Sequence, residues 1–195
     1  MFDNACLLLD IVTIPILTQR LLTNGEISWA RMVFQSTLPY SQIYISDLIG
    51  AQNRPFTLTA PSVGQVVAST IATSLFGPLA TPFITTARPA FYIINFGSSG
   101  FANAGSSANL PTFIHELTHV WQAYQQTFPN GYIFNSLWHQ AISGSNAYSY
   151  NLGQNWNSYN VEQQASIVEH WFSSGMSSSN PRFTYIRNNI RTGHR

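Results

Sequence analysis

The stretch PTFIHELTHVWQAYQQ, Pro111 to Gln126, constrains this chain more than any other. Phe113, Leu117, Val120 and Tyr124 recur at helical spacing, with Ile114 and Trp121 widening the stripe. Nothing from Thr112 to Gln126 breaks the pattern before Pro129 and Gly131 close it. Pro111 suits a first helical turn, where the missing N–H has no intrahelical partner in any case. A helix this apolar has to be covered by other elements, and it takes His115, Glu116 and His119 with it. Residues four apart stand above one another on a helix, so His115 and His119 can present two imidazoles to one point.

That arrangement is the mechanical content of H-E-x-x-H. Two imidazoles hold an ion, and the glutamate, turned by one residue, holds a water beside it without filling a coordination position. Zinc suits the geometry, and the glutamate can take the water's proton and pass it to a departing amine. The plain alternative is that both histidines pack or cap locally without metal. Catalytic zinc needs a third protein ligand. The candidates are Glu162, Glu169, His139 and His170. Glu162 is favoured because it begins the last helical pattern near Ala165, a small residue that lets two helices approach closely. Glu169 lies two turns further along nearly the same face. If Glu162 is the ligand, Glu169 can accept an imidazole N–H behind it.

Composition narrows the remaining possibilities. Charged residues make up only 8 % of the chain, against about 25 % in ordinary soluble domains. Each carboxylate is therefore worth placing. A formal net charge of +1 supplies no basic field for nucleic acid. With Cys6 as the sole cysteine, an internal disulfide and a thiolate zinc knuckle are both excluded. The opening MFDNACLLLDIVTIPIL carries Asp3 in place of a basic leader and is broken by Asp10 and Pro15, which makes a poor signal peptide or membrane span. The uncharged interval between Arg54 and Arg88 is long enough to span a bilayer, but Gly77, Pro78, Pro82 and repeated Ser and Thr favour packing on the domain.

Along the chain, Thr23 to Gln35 reads as a helix through Ile27, Ala30, Arg31 and Phe34. SQIYISD and FYIINF read as strands, and RPFTLTAP as another. Ser62 to Phe76 is ambiguous between helix and buried coil. GSSGFANAGSSAN reads as a Gly-rich loop leading into the HELTH helix. Gly131 to Asn160 is aromatic and amide-rich, with no clear element. The last clear helix is NVEQQASIVEHWFSS, its stripe made by Val161, Ala165, Val168 and Phe172. No repeat or interdomain linker is evident, and residues 1–195 are expected to form one α+β domain.

In order, LTNGEISWARMVFQ, SQIYISD, FYIINF, HELTHVWQ and YNVEQQASIVEHWF resemble the zincin-like metallopeptidase domain at the end of type VI secretion spike proteins and in related Rhs-associated bacterial toxins. HELTHVWQ and NVEQQA are the strongest parts; the 54–88 interval looks like a variable insertion. The resemblance implies His115, His119 and Glu162 as ligands of Zn2+ and Glu116 as general base. It also implies a secreted antibacterial endopeptidase that acts on protein in a target cell's periplasm, with a delivery spike and a cognate immunity protein as partners. An oxyanion donor is expected among Tyr148, Tyr150, Tyr159 and His139, with Tyr159 favoured because it lies just before the ligand helix. The rival readings are a zinc amidase acting on cell-wall peptide, a non-catalytic interaction module with aromatic patches, and membrane damage through the 54–88 interval.

Overall fold

The computed structural model describes residues 18–49, 53–60, 91–125 and 147–194. The N-terminal apolar stretch, the ambiguous segment from Ser62 to Phe76, most of the uncharged interval and His139 lie outside them. Among the described residues four strands form one sheet: β1 (Gln19–Leu21), β2 (Ile43–Ser46), β3 (Phe56–Ala60) and β4 (Phe91–Asn95). Their order is β1-β2-β4-β3. β2 runs parallel to β4, while β1 and β3 flank them antiparallel, so the sheet is mixed and the fold is α+β.

Alternation decides which face of the sheet is buried. Ile43 and Ile45 of β2, with Tyr92 and Ile94 of β4, enter the main core, while Tyr44 and Ile93 turn to the opposite face. There Tyr44 meets Phe91 edge to face, with ring centroids 5.6 Å apart. The parallel pair is tied by a buried hydrogen bond, Ser46 Oγ to Asn95 Oδ1 at 2.6 Å.

Helix α1 (Asn24–Phe34) joins the same core, α3 (Leu110–Gln125) lies against the sheet and α4 (Val161–Ser173) packs on α3, while a short helix α2 (Gly97–Asn103) follows β4. α1 buries Ala30, Val33 and Phe34. Arg31, which fits the same spacing, lies outside and stacks on Tyr40, with 5.4 Å between guanidinium carbon and ring centroid. α3 is buried almost throughout from Phe113 to Ala123. No helix among the described residues is long and apolar enough to cross a membrane.

Three elements depart from the sequence reading. The Gly-rich loop contains α2: Gly97 turns the chain at φ 73°, and Gly100 lies against the Phe96 ring, where a Cβ would overlap it. Poor helix formers are held there by packing. β1 is too short to show a periodicity. The C-terminal segment, helical at Phe183–Tyr185 and continuing as a π turn over Ile186–Ile190, follows the expected last helix and closes the core. Trp121 Nε1 and Thr37 Oγ1 both donate to the Ile190 carbonyl, at 3.0 and 2.8 Å.

β1 also anchors α1. Arg20 donates from Nη1 and Nη2 to both oxygens of buried Glu26, at 2.8 and 2.7 Å. Glu26 in turn completes a capping box with Thr23. Burial alone would raise the Glu26 pKa, but Arg20 and the Thr23 N–H outweigh it and hold it low. A lowered carboxylate pKa contributes stability above its unfolded value and loses it as pH falls through the folded one. Glu26→Gln should therefore cost about 1–3 kcal/mol at pH 7. The gap to the parent should narrow in acid, as read by urea denaturation at pH 7 and pH 3. An equal gap at both would remove the charge from the explanation.

Candidate metal centre

The centre forms where α3 crosses α4, and the start of α4 is set by local chemistry. Asn160 accepts from the Gln163 N–H at 2.8 Å, and Gln163 Oε1 accepts from the Asn160 N–H at 3.0 Å. This capping box starts the helix at Val161 and puts Glu162 in its first turn, where the helix dipole favours negative charge. Ala165, fully buried, leaves room for α3.

Glu162 Oε2 lies 3.2 Å from His115 Nε2 and 3.4 Å from His119 Nε2. One donor atom from each of His115, His119 and Glu162 lies within 4.8 Å of the others, and all three residues are buried, so the cluster can hold a metal ion. The remaining nitrogens are oriented from behind. His115 Nδ1 meets Glu169 Oε2 at 2.9 Å, and His119 Nδ1 meets Gln122 Oε1 at 2.9 Å. With Nδ1–H donating to these acceptors, each Nε2 can turn its lone pair to the centre. Gln122 is held in place because its Nε2 donates to Val161 O and Gln164 Oε1, both at 2.9 Å. Glu169 therefore sits behind a histidine and outside the three-donor cluster. His170 points elsewhere, with Nδ1 2.7 Å from the Tyr150 hydroxyl.

The electrostatics favour a cation. Burial lowers the proton affinity of His115, yet Glu162 and Glu169 outweigh it and push its pKa up to about 10. His119 is raised against burial by Glu162. Glu162, though buried, is held well below the usual carboxylate range by His119 and His115. The cluster draws positive charge, and metal ligation would satisfy it by displacing protons.

Glu116 is held by the sheet. Thr57, on the edge strand β3, donates from Oγ1 to Glu116 Oε2 at 2.8 Å. Burial pushes the Glu116 pKa up, against the two imidazoles and the Thr57 hydroxyl. Burial thus favours a proton on this carboxyl more than water does. A cavity of about 180 Å³ opens here, lined by Arg54, Pro55, Thr112, His115, Glu116, Tyr148 and Glu169. The ring centroid of Tyr148 is 6.0 Å from that of His115.

Tyr159 does not line this cavity. Its hydroxyl donates to Asn151 O at 2.7 Å and lies 3.1 Å from the Tyr185 hydroxyl, where it braces the loop before α4. Sequence spacing pointed to it because it precedes the ligand helix, but the chain turns its side chain inward there. Thr57, Gln122 and Arg54 were not singled out at all. Only Gln122, one turn beyond His119, had a positional signal to find it by.

No protein-family model matches the chain. In sequence it is 28 % identical, over an alignment of 194 positions that covers 90 % of this chain, to the type VI secretion system spike protein VgrG2b of Pseudomonas aeruginosa. It spans only 15 % of that relative's length. Among solved structures it matches the effector domain of the same VgrG2b with a TM-score of 0.52 and 23 % identity, covering 85 % of this chain and 81 % of that one. The chain thus resembles VgrG2b in sequence and shares the fold of its effector domain, with a buried His-His-Glu cluster, typical of zincin-like toxin domains, where two long helices cross.

Proposed function

We propose that the chain is a zinc-dependent endopeptidase that serves as a secreted antibacterial effector domain. The observation that carries this reading is the convergence of His115, His119 and Glu162 beside a glutamate held ready by Thr57. A tetrahedral ion with bonds of about 2.0–2.1 Å sets its ligands roughly 3.4 Å apart. The separations of 3.2 and 3.4 Å between Glu162 and the two imidazoles fit that spacing. Zinc bound there supplies Lewis acidity, which lowers the pKa of a water and polarises a carbonyl.

The chain's own groups do the remaining work. Glu116 takes a proton from the attacking water at a carboxylate oxygen and returns it to the departing amine nitrogen. Glu169 and Gln122 keep the imidazoles in the ligating tautomer. Tyr148 replaces Tyr159 as the candidate oxyanion donor. Burial and Glu162 raise its pKa against the pull of Arg54, so it stays a phenol and keeps its proton to donate. Beyond Tyr148 a larger depression of about 620 Å³ runs past Ser149 to Leu152 and offers room for the rest of an extended peptide.

Delivery by a secretion spike is supported by the similarity to the spike protein VgrG2b and its effector domain, and action in a target cell's periplasm with a cognate immunity partner is part of the same proposal. The test is incubation of the zinc-loaded chain with denatured proteins and with isolated cell wall. New protein N-termini, abolished by a zinc chelator and restored by zinc, are expected. Amine release from cell wall alone would make it an amidase, and neither product would leave a binding module.

The clamp on Glu116 makes a separate prediction. Thr57→Val should lower kcat about 3- to 10-fold with KM little changed. Thr57→Ser, which keeps the hydroxyl, should restore it. Equal losses in both variants would assign Thr57 to packing.

A further inference from the structure

Arg54 stands at the start of β3, exposed, with its guanidinium at the rim of the cavity that holds His115 and Glu116. Its Nη1 is 3.4 Å from the Tyr148 hydroxyl, and its guanidinium carbon is 5.8 Å from that ring's centroid. This is a loosely used cation. Arg20 is committed to Glu26, and Arg191 lies over Trp171 and Phe183 while donating to Met32 O. No carboxylate among the described residues pairs with Arg54. A guanidinium carries five N–H donors in a fork that matches a carboxylate.

The walls of the cavity are polar in opposite senses. Glu116 and Glu169 stand on the helix side, and among the described residues Arg54 is the one arginine or lysine on the lining. An incoming anion is repelled by the first wall and attracted by the second. The cavity holds about 180 Å³, room for little more than one large side chain, so a group on Arg54 lies close to the bond presented to Glu116. Extended peptide advances about 3.3 Å per residue.

We propose that Arg54 binds a carboxylate of the substrate within two residues of the cleaved bond, supplied by an acidic side chain or by a C-terminal carboxyl group. This rests on the hydrolase reading above. Tyr148 gains from the same arrangement: its oxygen accepts from Arg54, which leaves its own proton to point toward the substrate.

A peptide library made by digesting a bacterial proteome tests the assignment. Cleavage sites of the zinc-loaded chain should be enriched in Asp or Glu beside the cut, or should lie at the C-terminal residue. A synthetic library of the same peptides made with C-terminal amides removes the second source only. Arg54→Gln should reduce the preference in kcat/KM for a Glu peptide over its Gln counterpart, about 10- to 100-fold, to near unity. Arg54→Glu should turn the preference toward Lys and Arg, a gain that misfolding cannot produce. Peptides captured by the zinc-loaded Glu116→Gln variant give a readout without turnover, and acidic peptides should be lost from the captured set when Arg54→Gln is added. Cleavage without acidic enrichment overturns the carboxylate site and leaves the hydrolase. Acidic capture without cleavage by the parent keeps the site and overturns the hydrolase. Absence of both overturns both.

Discussion

Glu116→Gln should leave one zinc per chain and lower turnover of a protein substrate about 10²- to 10⁴-fold, the range in which positioned acid–base groups act. The substitution is well contained. Gln is the same size, and its amide oxygen can still accept from Thr57, which lies 2.8 Å from Glu116 Oε2. The three donors of the cluster are His115, His119 and Glu162, so nothing that would hold the ion is removed. What disappears is a group able to take a proton. Because burial raises the Glu116 pKa, its neutral replacement should not cost folding stability, and the melting temperature should hold or rise. Elemental analysis of the purified variant, beside its rate, separates the possibilities. Unchanged turnover would refute Glu116 as the base, and loss of zinc would move it into the ligand set.

The second large effect is expected at Glu162. Glu162→Ala removes the one carboxylate among the described residues that reaches both imidazoles, at 3.2 and 3.4 Å, and should abolish stoichiometric zinc binding. Glu169→Gln should keep the metal with affinity weakened by up to about 10-fold, because a neutral amide oxygen replaces the carboxylate that accepts behind His115. Competition with a chromogenic chelator measures both. Stability offers an independent reading, since zinc at 100 times its Kd adds about 2.7 kcal/mol to a chain that binds it only when folded. Added zinc should therefore raise the melting temperature of the parent and of Glu169→Gln, but not of Glu162→Ala. If Glu169→Ala loses zinc while Glu162→Ala retains it, the assignment is reversed.

The residues that could be read from sequence and those that could not differ in a definite way. His115, Glu116 and His119 share one helix, and the 3.6-residue repeat alone sets their relation. Glu162 and Glu169 are spaced along one face of a second helix, so both were foreseeable as inward. Which of them stands among the donors depended on how far α4 slides along α3. The buried Ala165 and the Gln122–Gln164 bond are part of that contact. Tyr148 and Tyr159 illustrate the opposite case. Both sit in an irregular aromatic segment, where no periodicity states which way a side chain points, and the choice between them fell to the cavity. α2 was hidden because Gly and Ser have weak helix propensity and only the Phe96 ring packed over Gly100 reveals why the segment winds.

Sequence by itself determined the three amphipathic helices, the main strands, the pair of imidazoles with their glutamate, and the short supply of charge that made each carboxylate a candidate. These follow from local geometry, which a periodic pattern records. Tertiary structure decided that Glu162 joins the imidazoles while Glu169 supports one from behind, that Thr57 on the edge strand clamps Glu116, and that Arg54 and Tyr148 wall the cavity. Those contacts join residues 43 to 94 positions apart. Their formation depends on how the sheet and the two helices dock, which is set by the packing of side chains from every element at once.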